Sequence, residues 1–185
     1  MFISTEPTPN PVTLKFLPGC EVGGRHTADF PSREGTERSP LAKRLFEIEG
    51  VSGVFLGGDF ITVTNAGEDW QTLKPLILGA IMEHFTAGLP VIEDFGEPDT
   101  AEAGDDDSED QEVVRQIKEL LETRVRPAVS QDGGDIVFER FDSGVVYLQM
   151  QGACSGCPSS IATLKYGIEN LLRHYIPEVV EVRPV

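Results

Sequence analysis

Between Glu93 and Glu112 the chain carries eleven carboxylates and no Lys or Arg. Over residues 90–107 apolar periodicity disappears: Pro, Gly, Ala and acids dominate, and three aspartates follow Gly104. Such a stretch repels itself and buries too little apolar surface to offset the entropy of ordering. It cannot pass through a core, so the 185-residue chain must fold as two small pieces. The expected division is a domain over 1–90, a flexible acidic linker over 91–108, and a second domain over 109–185. An acidic recruitment peptide is the lesser reading of the same stretch. Removing its eleven charges from the net −16 leaves −5 for the rest, an ordinary surface.

Both pieces read as α+β. In the first, residues 13–17 alternate and end at Pro18-Gly19, a strand and a turn. Residues 25–30 are a weaker strand. Ser39-Pro40 opens a short helix over 41–47, with Ser39 as cap and Pro40 at the first helical position. Residues 51–56 and 60–64 form a hairpin through Gly57-Gly58-Asp59. Trp70, Leu73, Ile77, Ile81 and Phe85 then mark a helix over 69–85, whose first turn Pro75 should perturb.

The second piece reads α-β-β-α-β. Val113, Ile117, Leu120, Leu121 and Arg124 form one stripe of a helix over 109–125, opened by a Ser108/Gln111 capping box and stopped by Arg126-Pro127. Strands over 136–141 and 145–150 turn at Asp142-Ser143-Gly144. A helix over 158–175 presents Ile161, Leu164, Ile168, Leu171, Leu172 and Tyr175 to the core. Residues 179–185 alternate as a last strand.

Composition narrows the function. A strongly acidic chain lacks the clustered Lys and Arg that phosphate contacts need, so no nucleic-acid partner is expected. Three cysteines cannot make a disulfide framework. Residues 1–11 have neither the apolar run of a secretory signal nor the Arg-rich look of a transit peptide. The apolar run 76–82 is too short to span a bilayer, so no membrane partner is expected either. The expected location is the cytoplasm of a bacterium, or the mitochondrial matrix for a processed eukaryotic chain.

The chemistry concentrates in Gly152-Ala153-Cys154-Ser155-Gly156-Cys157-Pro158-Ser159-Ser160, where a strand hands over to a helix. Pro158 at a helix start gives up an amide that would be unpaired anyway. The first-turn amides and the positive dipole end favour thiolates, the ligating form. Gly152 and Gly156 allow close backbone approach, and Ser159 and Ser160 suit caps better than ligands. A thiolate pair is half a ligand set, because zinc and the common iron–sulfur centres each take four protein ligands.

Four readings of Cys154 and Cys157 compete. A thiol-disulfide oxidoreductase needs only the pair, but here a hairpin precedes it instead of a parallel βαβ unit. Zinc needs two more ligands. Cys20 belongs to the other domain, and His174 lies more than ~20 Å along a continuous helix, so a zinc site would need a dimer. A structural pair of reduced cysteines is the third reading. The fourth is an iron–sulfur cluster shared by two chains, four thiolates in all, on an exposed loop from which it can leave.

These residues resemble a known family. Asp132-Gly133-Gly134-Asp135, the cysteine loop, Leu164-Lys165 and Gly167-Ile168-Glu169 resemble the C-terminal domain of NifU and the Nfu-type iron–sulfur cluster carriers. Thr5-Glu6-Pro7-Thr8-Pro9-Asn10-Pro11, Leu14-Lys15-Phe16, Ser39-Pro40-Leu41-Ala42, Gly50-Val51 and Phe60-Ile61-Thr62-Val63 are similar to the N-terminal domain of Nfu proteins. The resemblance implies a homodimer bridging a 4Fe–4S cluster, with 2Fe–2S as the variant, through Cys154 and Cys157 of each chain. It implies a carrier and not an enzyme, with apo iron–sulfur clients downstream and cluster-assembly proteins upstream. Ile161 stands where the family often has Thr, and Cys20 is outside the motif. Asp132 and Asp135 are expected to shape a turn whose glycines take positive φ. His26, His84 and His174 share no spacing and read as structural or surface residues.

Overall fold

The structure, a computed structural model, describes residues 1–24, 26–93, 108–155 and 158–185. The chain divides into two compact units, residues 1–98 and 99–185, each with its own apolar core.

In the first unit the strands β1 (Ser4–Pro7), β2 (Thr13–Leu17), β3 (Ala28–Phe30), β4 (Val51–Leu56) and β5 (Ile61–Asn65) form one antiparallel sheet, ordered β1-β2-β5-β4-β3. β1 is absent from the sequence reading; Pro7 and its polar residues hide it, and it is an edge strand, where proline is tolerated. The β4–β5 turn closes with the Gly57 amide donating to Phe60 O at 2.8 Å. Helix α1 (Pro40–Phe46) is capped by Ser39, whose Oγ accepts from the Ala42 amide at 3.1 Å, with Pro40 in the first turn. Helix α2 (Trp70–Thr86) is capped by Asp69 and runs unbroken through Pro75. Asp69 O accepts from both Thr72 and Leu73, each at 3.0 Å, so the tightening is confined to the first turn, and Pro75 faces outward. Leu73, Ile77 and Ile81 of α2 meet Phe16, Phe30, Leu41, Leu45, Leu56 and Ile61 in the core, with Trp70 and Phe85 at its margin. After α2, residues 90–93 fold back onto the unit: Pro90 O pairs with His84 Nε2 at 3.0 Å, Ser39 Oγ donates to Val91 O at 2.6 Å, and Ile92 is buried.

The second unit follows the order α-β-β-α-β. Helix α3 (Ser108–Leu120) passes into a π-helical turn (Leu121–Val125) and then helix α4 (Arg126–Gln131). Arg126-Pro127 therefore does not stop the helical path, contrary to the sequence reading. The wide turn just ahead of Pro127 relieves the clash that its ring would make in a regular α-helix, and the missing amide falls in the first turn of α4. Val113, Ile117, Leu121 and Val125 carry the buried stripe, while Arg124 points to solvent. The Ser108 side chain of the expected capping box lies outside what is described. β6 (Gly134–Asp142) and β7 (Val145–Gly152) pair antiparallel, and β8 (Glu181–Pro184) joins β7 in parallel after helix α5 (Pro158–Tyr175). Ile168 and Leu172 of α5 are buried against Ile136, Val146 and Leu148. Tyr175, expected on that face, is 48% exposed; it sits in the last turn, and Ile176 beyond the helix takes the buried place.

Candidate functional site

The hairpin β6–β7 delivers the first cysteine. Its register pairs Gly134 with Gly152 and Asp135 with Gln151, which puts the Asp132–Asp135 turn beside the start of the cysteine loop. Gly133 adopts φ +81° and Gly152 φ +66°, left-handed values that a side chain would strain. Three hydrogen bonds then fold the chain over: the Ala153 amide to Gly133 O at 3.1 Å, the Ser155 amide to Gly152 O at 3.1 Å, and Ser155 Oγ to Gly152 O at 2.9 Å. Cys154 is held within this turn and is buried at the edge of the core. Cys157 and Gly156 lie outside the described residues. Helix α5 begins at Pro158, immediately beyond them.

Asp135 is held in an internal ion pair. Its carboxylate is gripped by Arg126, with Nε to Oδ1 at 2.9 Å and Nη2 to Oδ2 at 2.8 Å, while Oδ1 also accepts the Ile136 amide at 2.8 Å. Hydrogen bonding to Asp135 raises the Arg126 pKa well above its ordinary value, against the opposing effect of burial. Glu122, one turn earlier, completes the pairing through Nη1 at 2.6 Å. Of the two glycines read as turn formers, only Gly133 takes positive φ. Gly134 is required by space, because a Cβ there would stand 2.6 Å from Cys154 Sγ. Sequence reasoning missed both Arg126 and this contact; the one available signal was the pair of adjacent glycines upstream of a cysteine loop.

The other singled-out residues are dispersed. Cys20 is half-buried in the first unit. His84 is fully buried, His174 is exposed on α5, and His26 borders an open hollow of about 1020 Å³ with Glu21, Gly24, Asp59 and Val91. Among the described residues no group of three or more His, Cys, Asp or Glu is placed to hold a metal ion. No helix among them is long and apolar enough to cross a membrane.

Fold and site together define a class: an α+β protein of two units, the second presenting a cysteine turn between a β-hairpin and a helix. Residues 117–183 match the NifU-like domain, and residues 3–88 match the scaffold protein Nfu/NifU N-terminal domain. The chain belongs to the Nfu/NifU family. It is 54% identical to the human protein described as "NFU1 iron-sulfur cluster scaffold homolog, mitochondrial", over all of this chain and 72% of that one. A Drosophila sechellia protein of the same description is 54% identical over all of this chain and 65% of its own length. Among solved structures, a NifU-like protein from Saccharomyces cerevisiae is 27% identical over 49% of this chain and 83% of that one, with a TM-score of 0.45.

Proposed function

We propose that this protein is an iron–sulfur cluster scaffold that holds its cargo through Cys154 and Cys157 and passes it to apo-proteins. The observation that carries the reading is the placement of Cys154: it closes a hairpin whose glycines bring the backbone against sulfur, in a chain similar throughout to proteins named as iron–sulfur cluster scaffolds. Two such chains supply the four thiolates of a 4Fe–4S or 2Fe–2S centre, so the loaded form is a homodimer. Transfer is ligand exchange. A client thiolate forms its bond to iron as the bond to Cys154 or Cys157 breaks, and the proton given up by the client thiol passes to the released thiolate. No bond of the cargo core breaks, and the chain is a carrier with no turnover chemistry of its own. The relatives' names speak for a mitochondrial setting and not for a bacterial cytoplasm. The first unit would recognise clients or donors; unchanged transfer rates to every client after deletion of residues 1–92 would refute that role.

The test is anaerobic reconstitution with iron and sulfide, followed by gel filtration and metal analysis. The expected product is a brown dimer with about four irons and four sulfides per two chains. Cys154→Ser and Cys157→Ser should each abolish cluster retention. A colourless dimer holding zinc, or a monomer cycling a Cys154–Cys157 disulfide with only one cysteine essential, would replace the carrier reading.

A further inference from the structure

We infer that Gly134 is a socket for the thiol of Cys154, and that Cys154 reaches cargo only after the turn from Gly152 to Ser155 opens. The socket stands on geometry alone; the order of steps rests on the carrier reading above. Cys154 is 6% exposed and packs with the core that includes Ile136, Met150 and Ile168. A Cβ on Gly134 would lie 2.6 Å from Sγ, 2.8 Å from Gln151 O and 3.1 Å from the Cys154 amide nitrogen. Side-chain carbons do not approach so closely, so the sulfur fills volume that any larger residue at 134 would occupy. Gly134 is not in the left-handed region. Its backbone conformation is open to any residue, and the space is what demands glycine.

A sulfur enclosed by its own core cannot bond an iron shared with a second chain. To do so it must turn out of the socket. The turn is built for that movement. Its pivot, Gly152, carries no Cβ and sits at φ +66°, and the closure includes the bonds from the Ala153 amide to Gly133 O and from the Ser155 amide and Oγ to Gly152 O. Breaking these and wetting one thiol is a local opening, far smaller than unfolding the unit. The storage position keeps the thiol from oxidants and stray metals between deliveries.

The experiment is pulse labelling of the full chain with N-ethylmaleimide, read peptide by peptide by mass spectrometry, with the half-buried Cys20 of the other unit as internal reference. Cys154 is expected to label at least about tenfold more slowly than in the denatured chain, with protection that stays flat across low urea, as local opening requires. Gly134→Ala should fill the socket and bring the Cys154 rate to within about twofold of the denatured rate, leaving Cys20 unchanged. Labelling of wild-type Cys154 at the denatured rate overturns the socket, and so does a folded Gly134→Ala protein that keeps full protection. Protection that falls with urea in step with global unfolding of the second unit overturns the opening step, and this measurement decides even if Gly134→Ala does not fold. Labelling involves no iron. A wild-type chain that protects Cys154 yet takes up no cluster refutes the carrier reading and leaves the socket standing.

Discussion

The Arg126 guanidinium meets the Asp135 carboxylate edge on, through two bonds of 2.8 and 2.9 Å, with the carboxylate 5% exposed and the guanidinium 30%. A buried pair of this kind contributes little compared with apolar residues of the same shape, but removing one partner strands the other charge. Arg126→Met should therefore cost about 3–5 kcal/mol, because the carboxylate it strands is only 5% exposed. Asp135→Asn should cost less, since the amide still fills the space and accepts a hydrogen bond. The double variant should be more stable than the two single losses added together predict; strict additivity in urea melts would mean that the pair is not coupled. This pairing marks the limit of what one dimension reveals. The cysteine loop, the turn at Gly133 and the cap at Ser39 were legible because each rests on neighbours within a few residues. The partner of Asp135 sits nine residues back on a helix, and the sulfur that Gly134 faces comes from the turn just past the far strand of the hairpin. Only the β6–β7 register brings them together.

Elements that depend on packing against a sheet were legible from periodicity; those shaped by a local exception were not. α1, β4, β5 and α5 fall where capping residues and apolar spacing put them. β1 and the continuation of α3 through its π-turn do not, because the prolines that argue against them are accommodated at a sheet edge and at the start of α4. Helix α2 offers a clear test of local propensity. Gly79 lies in its interior, outside the left-handed region, with nothing within 4 Å of where a Cβ would stand. Glycine there loses backbone freedom on folding without any return in packing. Gly79→Ala should stabilise the first unit by about 0.5–1 kcal/mol, raising its melting midpoint by several degrees. A neutral or lowered midpoint would show that this exposed face, with Leu76 and Met82 on it, contacts something that needs the glycine.

At the scale of the whole molecule, two separate cores imply two unfolding transitions, and one buried histidine should make them respond differently to acid. His84 has no exposed surface. The carbonyl of Pro90 accepts from its Nε2, so Nε2 carries the proton, and Nδ1 is buried without a partner among the described residues. Protonating Nδ1 would place a charge and an unpaired donor in the core. Burial accordingly lowers the His84 pKa below its ordinary 6.5, with nearby Arg44 acting the same way and the bond to Pro90 opposing. The sign follows from linkage. Above pH 6.5 neither the folded nor the unfolded chain holds the proton, and the stability is fully present. As the pH falls below 6.5 the unfolded chain takes up a proton that the folded one refuses, so stability is lost until the depressed folded pKa is reached. The loss should fall on the first unit, because His84 packs there and its bond to Pro90 anchors residues 90–93 to that unit. Calorimetry of the full chain at pH 7.5 and 5.5 should show the first unit's transition moving down further than in His84→Gln, a variant that keeps an amide donor but cannot titrate. Equal shifts in wild type and His84→Gln would mean that carboxylates, and not the buried imidazole, govern the acid limit of the first unit.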